Sequence, residues 1–343
     1  MMRLFSIALL LGAAAALIFA ALTEPAGMLR AWLTAWLVLI APAIGAVFLA
    51  LIAVLAPGPW VDKIWGPARW LLLALPALSL GVVPILLAPG AIYPWVDPGP
   101  EAARWVDPRG LWHEPLWFSL RQGLYLAILS GAALLLAAGR VSSRPLAGAL
   151  AIPVTLAASY FAFDISMSLD PAFNSTIFGL YVIAGQGAAA MGLVIGVRVH
   201  LTQDADSVAG RPIWMLFGAC ALWGYHAFFQ YLIIWTGDLP RYAEWFLARN
   251  QGAWLIVIFI YAMFFARASL LLLRPVRKSV RGLMTAPLGV VLGVALETVW
   301  RTAPDLSPSP AYWAALAGWL ALAFGLFALI VAPKRMREAV HVG

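Results

Sequence analysis

Ten long apolar stretches, separated by short polar connections, dominate the chain. A helix that crosses the hydrocarbon core of a bilayer needs about 20 apolar residues, and its backbone must be satisfied within the segment. We therefore predict an all-α polytopic membrane protein, with a bundle of about ten transmembrane helices in a single integral membrane domain over residues 1–343. The predicted spans are 4–22, 30–56, 68–88, 116–138, 146–166, 175–197, 212–236, 252–273, 284–302 and 311–332.

The composition indicates the same class of protein. Of the 343 residues, 64% are hydrophobic and 11% are charged, and the mean hydropathy is +0.91; a soluble domain is nearer half apolar and a quarter charged. The first apolar stretch follows Arg3 and is longer than the core of a typical signal peptide, so we expect a retained helix. The single cysteine, Cys220, argues against an intrachain disulfide and a cysteine-ligated cluster.

The basic residues are unevenly shared between the two sides of the predicted bundle. If the N-terminus is placed on one side, the loops of that side carry 14 of the 22 basic residues, whereas acidic residues favour the opposite loops. Lys and Arg concentrate in cytoplasmic loops, so both termini are predicted to be cytoplasmic. The net charge of +7 is explained by these loops and does not indicate nucleic-acid binding.

Ionisable residues inside the predicted spans gather in the outer half of the bundle. A rise of 1.5 Å per residue places Asp164, His226 and Glu297 there, whereas the inner half offers only Arg267. An ionisable residue inside the membrane is a functional candidate by default. Glu297 and Arg301 are also spaced i,i+4, which allows them to pair. The pattern predicts a polar site or half-channel that opens to the outer side.

Each of these candidates also has a structural interpretation. Asp164 and His226 could be packed hydrogen-bonding groups that serve only the fold. Glu297 and Arg301 could form a purely structural pair. Asp170 and Pro171 could serve only to form a turn. Arg121 could simply extend to the lipid headgroups.

The histidines argue against haem. Only His226 of the four lies well inside a predicted span, and a bis-histidine haem needs two at matched depth. No two His, Cys, Asp or Glu residues have ligand spacing within one span, so no metal site is predicted either.

Two segments resemble a known family. Residues 161–185, FAFDISMSLDPAFNSTIFGLYVIAG, resemble a signature in which an FD–MSLDP turn is followed by STIFG–Y–AG. Residues 222–254, LWGYHAFFQYLIIWTGDLPRYAEWFLARNQGAW, resemble a segment with a Y–AF–QYL–IW core and a G(N/D)(I/L)P end. Both are typical of the second NrfD-like membrane subunit of bacterial alternative complex III, a quinol:cytochrome c oxidoreductase. The run LLLLRPVRKS at 270–279 is similar as well.

The resemblance implies a subunit of a respiratory electron-transport complex in the bacterial inner membrane. Its partners would be a homologous NrfD-like quinol-binding subunit, an iron–sulfur subunit and c-type cytochrome subunits. The iron–sulfur clusters and the c-type haem would belong to those partners, and no cofactor would be covalently bound here. This chain would shape the quinone region, where quinone or quinol binds, and contribute to a proposed proton pathway.

Candidate site residues come from two sources. Asp164 matches a family acid, and the other matched positions are Asp170, Tyr181, Tyr225, Gln230 and Tyr231. The depth argument adds Arg121, His226, Glu297 and Arg301. No catalytic residue is assigned.

The chain also departs from the family pattern. After Asp170-Pro171 the family usually has a histidine and aromatic residues, where this chain has Ala172, Phe173 and Asn174. Two alternatives therefore stay open: a secondary transporter and a purely structural scaffold subunit. Midplane polar groups in broken helices would mark a transporter, and neutral effects of every buried polar substitution would mark a scaffold.

Overall fold

The computed structural model describes residues 2–100, 102–106, 112–250, 254–303 and 309–330. Over these residues the chain is helical and has no strand. The α-helices are α1 (Met2–Thr23), α2 (Pro25–Leu55), α3 (Trp60–Ser79), α4 (Val83–Leu87), α5 (Pro115–Ala137), α6 (Arg144–Ile165), α7 (Phe178–Thr202), α8 (Arg211–Thr236), α9 (Pro240–Asn250), α10 (Trp254–Leu270), α11 (Arg274–Arg277), α12 (Val280–Thr302) and α13 (Pro310–Ile330).

Within the described residues, eight helical stretches are long and apolar enough to cross a membrane. They are Ser6–Thr23, Pro25–Leu55, Trp60–Leu87, Pro115–Ala137, Arg144–Leu169, Phe178–Thr202, Arg211–Thr236 and Val280–Thr302. The spans predicted at 252–273 and 311–332 fall on α10 and α13, whose described apolar segments are shorter, Leu255–Leu270 and Pro310–Leu326. The total of ten spans and the side of the termini stay predictions.

The centre of the bundle is formed by α2 and α7, the two most buried of these helices. Small residues on both helices let their backbones come close, as is common between helices in membranes. A Cβ atom on Gly45 of α2 would lie only 2.0 Å from the carbonyl oxygen of Gln186 on α7. Around this centre, α7 also packs against α6, α8 and α12, while α13 packs against α1 and α2.

Several predicted boundaries differ from the structure. Helix α2 begins at Pro25 rather than at residue 30, because proline is well suited to the first turn of a helix. Helix α3 begins at Trp60 rather than at residue 68. Its first two turns contain polar side chains, which lower the hydropathy there without interrupting the helix. Helix α7 begins at Phe178, three residues later than predicted. Helix α6 ends at Ile165, one residue before the predicted end, and Asp164 is its penultimate residue.

The third span is interrupted between α3 and α4. A short 3-10 turn, Leu80–Val82, separates the two helices, and Pro84 follows in the first turn of α4. Pro84 has no backbone N–H to donate to the carbonyl oxygen of Leu80, which accepts from the backbone N–H of Val83 instead. Two indoles of α2 donate to carbonyl oxygens at this break: Trp32 Nε1 to Gly81 at 2.9 Å and Trp36 Nε1 to Leu78 at 2.7 Å.

Candidate functional site

The end of α6 carries a buried ion pair with the start of α5. Arg121 Nε lies 2.8 Å from Asp164 Oδ2, and the two side chains are 17% and 1% exposed. Gln122 Nε2 donates to the same carboxylate oxygen at 3.3 Å. The sequence could not reveal this pair, because 43 residues separate its members.

Arg121 is held by the loop before α5 as well as by Asp164. Its Nη2 donates to the carbonyl oxygen of Trp112 at 2.7 Å, and its guanidinium lies 4.2 Å from the centroid of the Trp112 ring. The interpretation of Arg121 as a side chain that only extends to the headgroups is therefore wrong.

The carboxyl end of α6 is also fixed through its backbone. The Tyr93 hydroxyl donates to the carbonyl oxygen of Ile165 at 3.1 Å, and the Ser168 hydroxyl donates to that of Asp164. Burial, with a smaller contribution from the negative charge of Asp164, raises the pKa of Tyr93 well above its usual value. Tyr93 therefore acts at this site as a neutral hydrogen-bond donor.

A second buried ion pair lies on α12. Arg301 Nε is 2.9 Å from Glu297 Oε1, and both side chains are 5% exposed. The pairing that the i,i+4 spacing allows is thus present in the structure. The Tyr181 hydroxyl of α7 donates to the same Glu297 oxygen at 2.7 Å, so this carboxylate oxygen accepts two hydrogen bonds.

The two ion pairs meet at the end of α6. Arg301 Nη1 donates to the hydroxyl oxygen of Ser166 at 2.8 Å, and Ser166 stands two residues after Asp164. A cavity of about 10 Å³ lies beside this contact and is lined by Ser166, Gln186, Glu297 and Arg301 among others. This volume is close to the minimum for one water molecule. Gln186 is one of the residues that line this cavity, and its Oε1 has no hydrogen-bond partner among the described residues.

A larger pocket lies next to the turn that follows α6. Its volume is about 340 Å³, within the range of small-molecule sites. Aromatic faces and a few polar groups line it, including Trp105, Trp112, Phe163, Asp170, Ser175 and Arg241. Arg241 is held by Ala172, whose carbonyl oxygen lies 2.7 Å from its Nε, and by Trp105, whose ring centroid lies 3.5 Å from its guanidinium.

Asp170 faces this pocket and also shapes the turn. Its Oδ1 accepts a hydrogen bond from the backbone N–H of Ala172 at 3.1 Å, an Asx-type contact. The turn interpretation is therefore supported by the structure, and the position on the pocket wall gives the same side chain access to a ligand.

The remaining candidates lie on α8, apart from the ion pairs. Gln230 accepts a hydrogen bond from the Ser175 hydroxyl at 3.1 Å. His226 is 8% exposed, and its Nδ1 has no hydrogen-bond partner within the described part of the chain. Tyr225 and Tyr231 are 53% and 51% exposed and face outward from the bundle.

Several groups at the site were not predicted. Gln122, Ser166 and Tyr93 contact the ion pairs or the end of α6. Of these, Gln122 had a signal in the sequence, because it is a polar residue beside Arg121 within an apolar span.

Arg249 of α9 was not predicted either. Its Nη1 lies 3.1 Å from the carbonyl oxygen of Trp245, and its Nη2 lies 3.4 Å from that of Arg301. Its guanidinium is 4.1 Å from the Trp245 ring centroid. Burial, aided by the nearby positive charge of Arg301 and opposed by Asp170, lowers the pKa of Arg249 to about 10. Neither ion pair of the described residues includes Arg249, and a buried charge of this kind costs stability.

The described helices define the class of protein: an all-helical chain with eight helices long and apolar enough to cross a membrane, as expected of a multi-pass membrane protein. No protein-family model matches the chain. No curated protein matches it either.

Proposed function

We propose that this chain is a membrane subunit of a bacterial respiratory quinol:electron-acceptor oxidoreductase of the alternative complex III type. It lies in the inner membrane with both termini cytoplasmic. Its partners are a homologous NrfD-like quinol-binding subunit, an iron–sulfur subunit and c-type cytochrome subunits, which hold the clusters and haems. The chain itself shapes the quinone region and contributes to a proton pathway.

One observation carries the proposal: two compensated carboxylates lie together at one end of the bundle. Asp164 and Glu297 each have an arginine against them, and Arg301 of the second pair bonds to Ser166, two residues after Asp164. Buried acids are expensive in a membrane and are retained for function as a rule. Quinol oxidation releases two protons, and carboxylates at this end are suited to accept and pass them on.

The pocket beside the turn supports the same role. Its volume of about 340 Å³ and its aromatic lining suit a flat, mainly apolar ring. Asp170 and Arg241 on its wall offer an acceptor and a donor for the polar edge of such a ring. Ser168 and Trp112 belong to the pocket wall, and they contact the backbone of Asp164 and the side chain of Arg121, so the pocket adjoins this ion pair.

The first experiment is a purification of the tagged chain from its native membrane in mild detergent. We expect iron–sulfur and c-type haem subunits to accompany it, with visible spectra and mass spectrometry as the readout. A colourless preparation of the chain alone would contradict the assignment to the complex. Uptake of a solute by that preparation in liposomes would then favour a transporter.

The second experiment tests Asp164 in the assembled complex. We expect Asp164→Asn to leave assembly intact and to slow quinol turnover about 100-fold, the lower end of the range for one lost proton-transfer group. Asp62→Asn is the matched control, because Asp62 is an exposed acid in the first turn of α3. Unchanged turnover in Asp164→Asn would remove this carboxylate from the proton pathway.

A further inference from the structure

A cluster of cationic side chains lies where α10 ends and α12 begins. We call it the basic hinge and define it as Arg267, Arg274, Arg277, Lys278 and Arg281. The two ion pairs among the described residues do not include any of its members. These five positive charges are therefore not neutralised within the part of the chain that the structure describes.

Arg267 is the deepest member of the basic hinge. Its side chain crosses α12 at Gly289, where an added Cβ would lie 2.6 Å from Arg267 Cγ and 3.1 Å from its Nε. Gly289 is nine residues after Val280, the first residue of α12, which corresponds to about 14 Å along the helix. Within the described residues the guanidinium makes no hydrogen bond, and the side chain is only half-buried. A cation at this depth needs a negative group from outside the chain or from water.

The exposed face of α12 changes from polar to apolar along its length. Arg281 and Thr285 are exposed one turn apart, and Leu288 and Leu292 continue the same face at 42% and 49% exposure. A cation, a hydroxyl group and then aliphatic side chains follow one another in this order. A phospholipid presents a phosphate, a polar glycerol region and acyl chains in the matching order.

Arg277 fixes the short helix α11 in place. Its guanidinium lies 5.1 Å from the ring centroid of Trp214, and its Nη1 donates to the carbonyl oxygen of Leu271 at 3.3 Å. Trp214 is 48% exposed at the start of α8, a placement typical of tryptophan at a membrane interface. Arg277 therefore braces the basic hinge, while Arg267, Arg274, Lys278 and Arg281 stay available for a ligand.

We propose that the basic hinge binds an anionic phospholipid along the exposed face of α12. The phosphate lies between Arg267 and Arg281, and an acyl chain follows Leu288 and Leu292. Clusters of four or more Lys and Arg next to a membrane helix favour anionic headgroups, and basic pockets between helices bind them specifically. The site is at the opposite end of the bundle from Asp164 and does not depend on the respiratory role.

Native mass spectrometry of the purified full chain, or of its complex, tests the proposal by titration with phosphatidylglycerol and phosphatidylcholine. We expect phosphatidylglycerol to bind more tightly to the wild type. Arg267→Gln with Arg281→Gln should weaken its binding about 25-fold, since each cation near the headgroup contributes about fivefold. Phosphatidylcholine binding should not change.

The matched control is Arg140→Gln with Arg144→Gln, which removes two exposed cations at the same end of the bundle, one in the connection after α5 and one at the first residue of α6. This control should bind phosphatidylglycerol like the wild type. Arg267→Lys with Arg281→Lys keeps both charges and should retain most of the binding, so that a folding defect is distinguished from a lost site.

Three outcomes would overturn the proposal. The first is wild-type binding in the glutamine variant. The second is an equal loss in the Arg140 and Arg144 control, which would mean a general charge effect. The third is displacement of the lipid by excess inorganic phosphate, which would indicate a site for the free anion instead.

Discussion

The ion pair between Arg121 and Asp164 should be asymmetric in its contribution to stability. Asp164 is 1% exposed and Arg121 is 17% exposed. Arg121→Gln leaves the Asp164 carboxylate without its counter-charge at a position that water does not reach. Removing one member of a buried ion pair usually costs about 3–5 kcal/mol. We expect the low end, about 3 kcal/mol, because Gln122 still donates to the same oxygen.

Asp164→Asn leaves the Arg121 guanidinium without its counter-charge. Because Arg121 is less buried than Asp164, this substitution should cost less stability. Arg121 keeps its hydrogen bond to the carbonyl oxygen of Trp112 and its contact with that ring. We expect a cost of about 1.5 kcal/mol, in the range for a lost charged hydrogen bond. The double variant has no stranded charge and should cost about 2 kcal/mol, so the coupling between the two positions is about 2.5 kcal/mol.

Reversible unfolding in mixed micelles, with SDS titrated against a mild detergent, measures these free energies on the full chain by circular dichroism. Arg140→Gln is the control, because Arg140 is exposed at the other end of the bundle and should change stability by less than about 0.5 kcal/mol. The reasoning is refuted if Asp164→Asn costs as much as Arg121→Gln, or if the two single effects add up to that of the double variant.

Three further predictions use the same assay. Gly45→Ala should cost about 3 kcal/mol or more, because its Cβ would meet the backbone of α7 at 2.0 Å, whereas Gly131→Ala, with open space around it, should be neutral within about 0.5 kcal/mol. Glu297→Gln should cost about 3 kcal/mol, since Arg301 is buried and loses its counter-charge; a neutral result would mean that water already screens the pair. Arg249→Gln should stabilise the chain by about 1 kcal/mol, because the burial cost behind a pKa of about 10 exceeds the hydrogen bonds that are lost. The pKa of Arg249 is lower in the folded chain than in the unfolded chain, so the stability of the wild type should rise above about pH 10. The Arg249→Gln variant should lack this rise.

The apolar segments were predictable from the sequence because burial in lipid requires long uninterrupted runs of apolar residues. The first and last residues of the helices were harder to predict. The start of α3 contains Asp62 and Lys63, which lower the hydropathy without breaking the helix. The start of α7 was placed too early, because Ser175 and Thr176 resemble helix-capping residues but belong to the turn.

The candidate site was predictable only where its geometry is local. The pairing of Glu297 with Arg301 follows from one turn of helix. The bond from Tyr181 to Glu297 spans 116 positions and depends on how α7 packs against α12. Apolar residues run all round these helices, so no pattern in the sequence indicates which face of a helix meets which neighbour.

The two tryptophan bonds to the break between α3 and α4 have a consequence for the order of assembly. At the break between α3 and α4, the carbonyl oxygens of Leu78 and Gly81 accept hydrogen bonds from side chains of α2. In lipid such groups need a partner, and the indoles of Trp32 and Trp36 supply it from α2. The bent third segment is therefore stabilised once the second lies beside it, and a chain inserted without α2 would hold that segment less tightly in the bilayer.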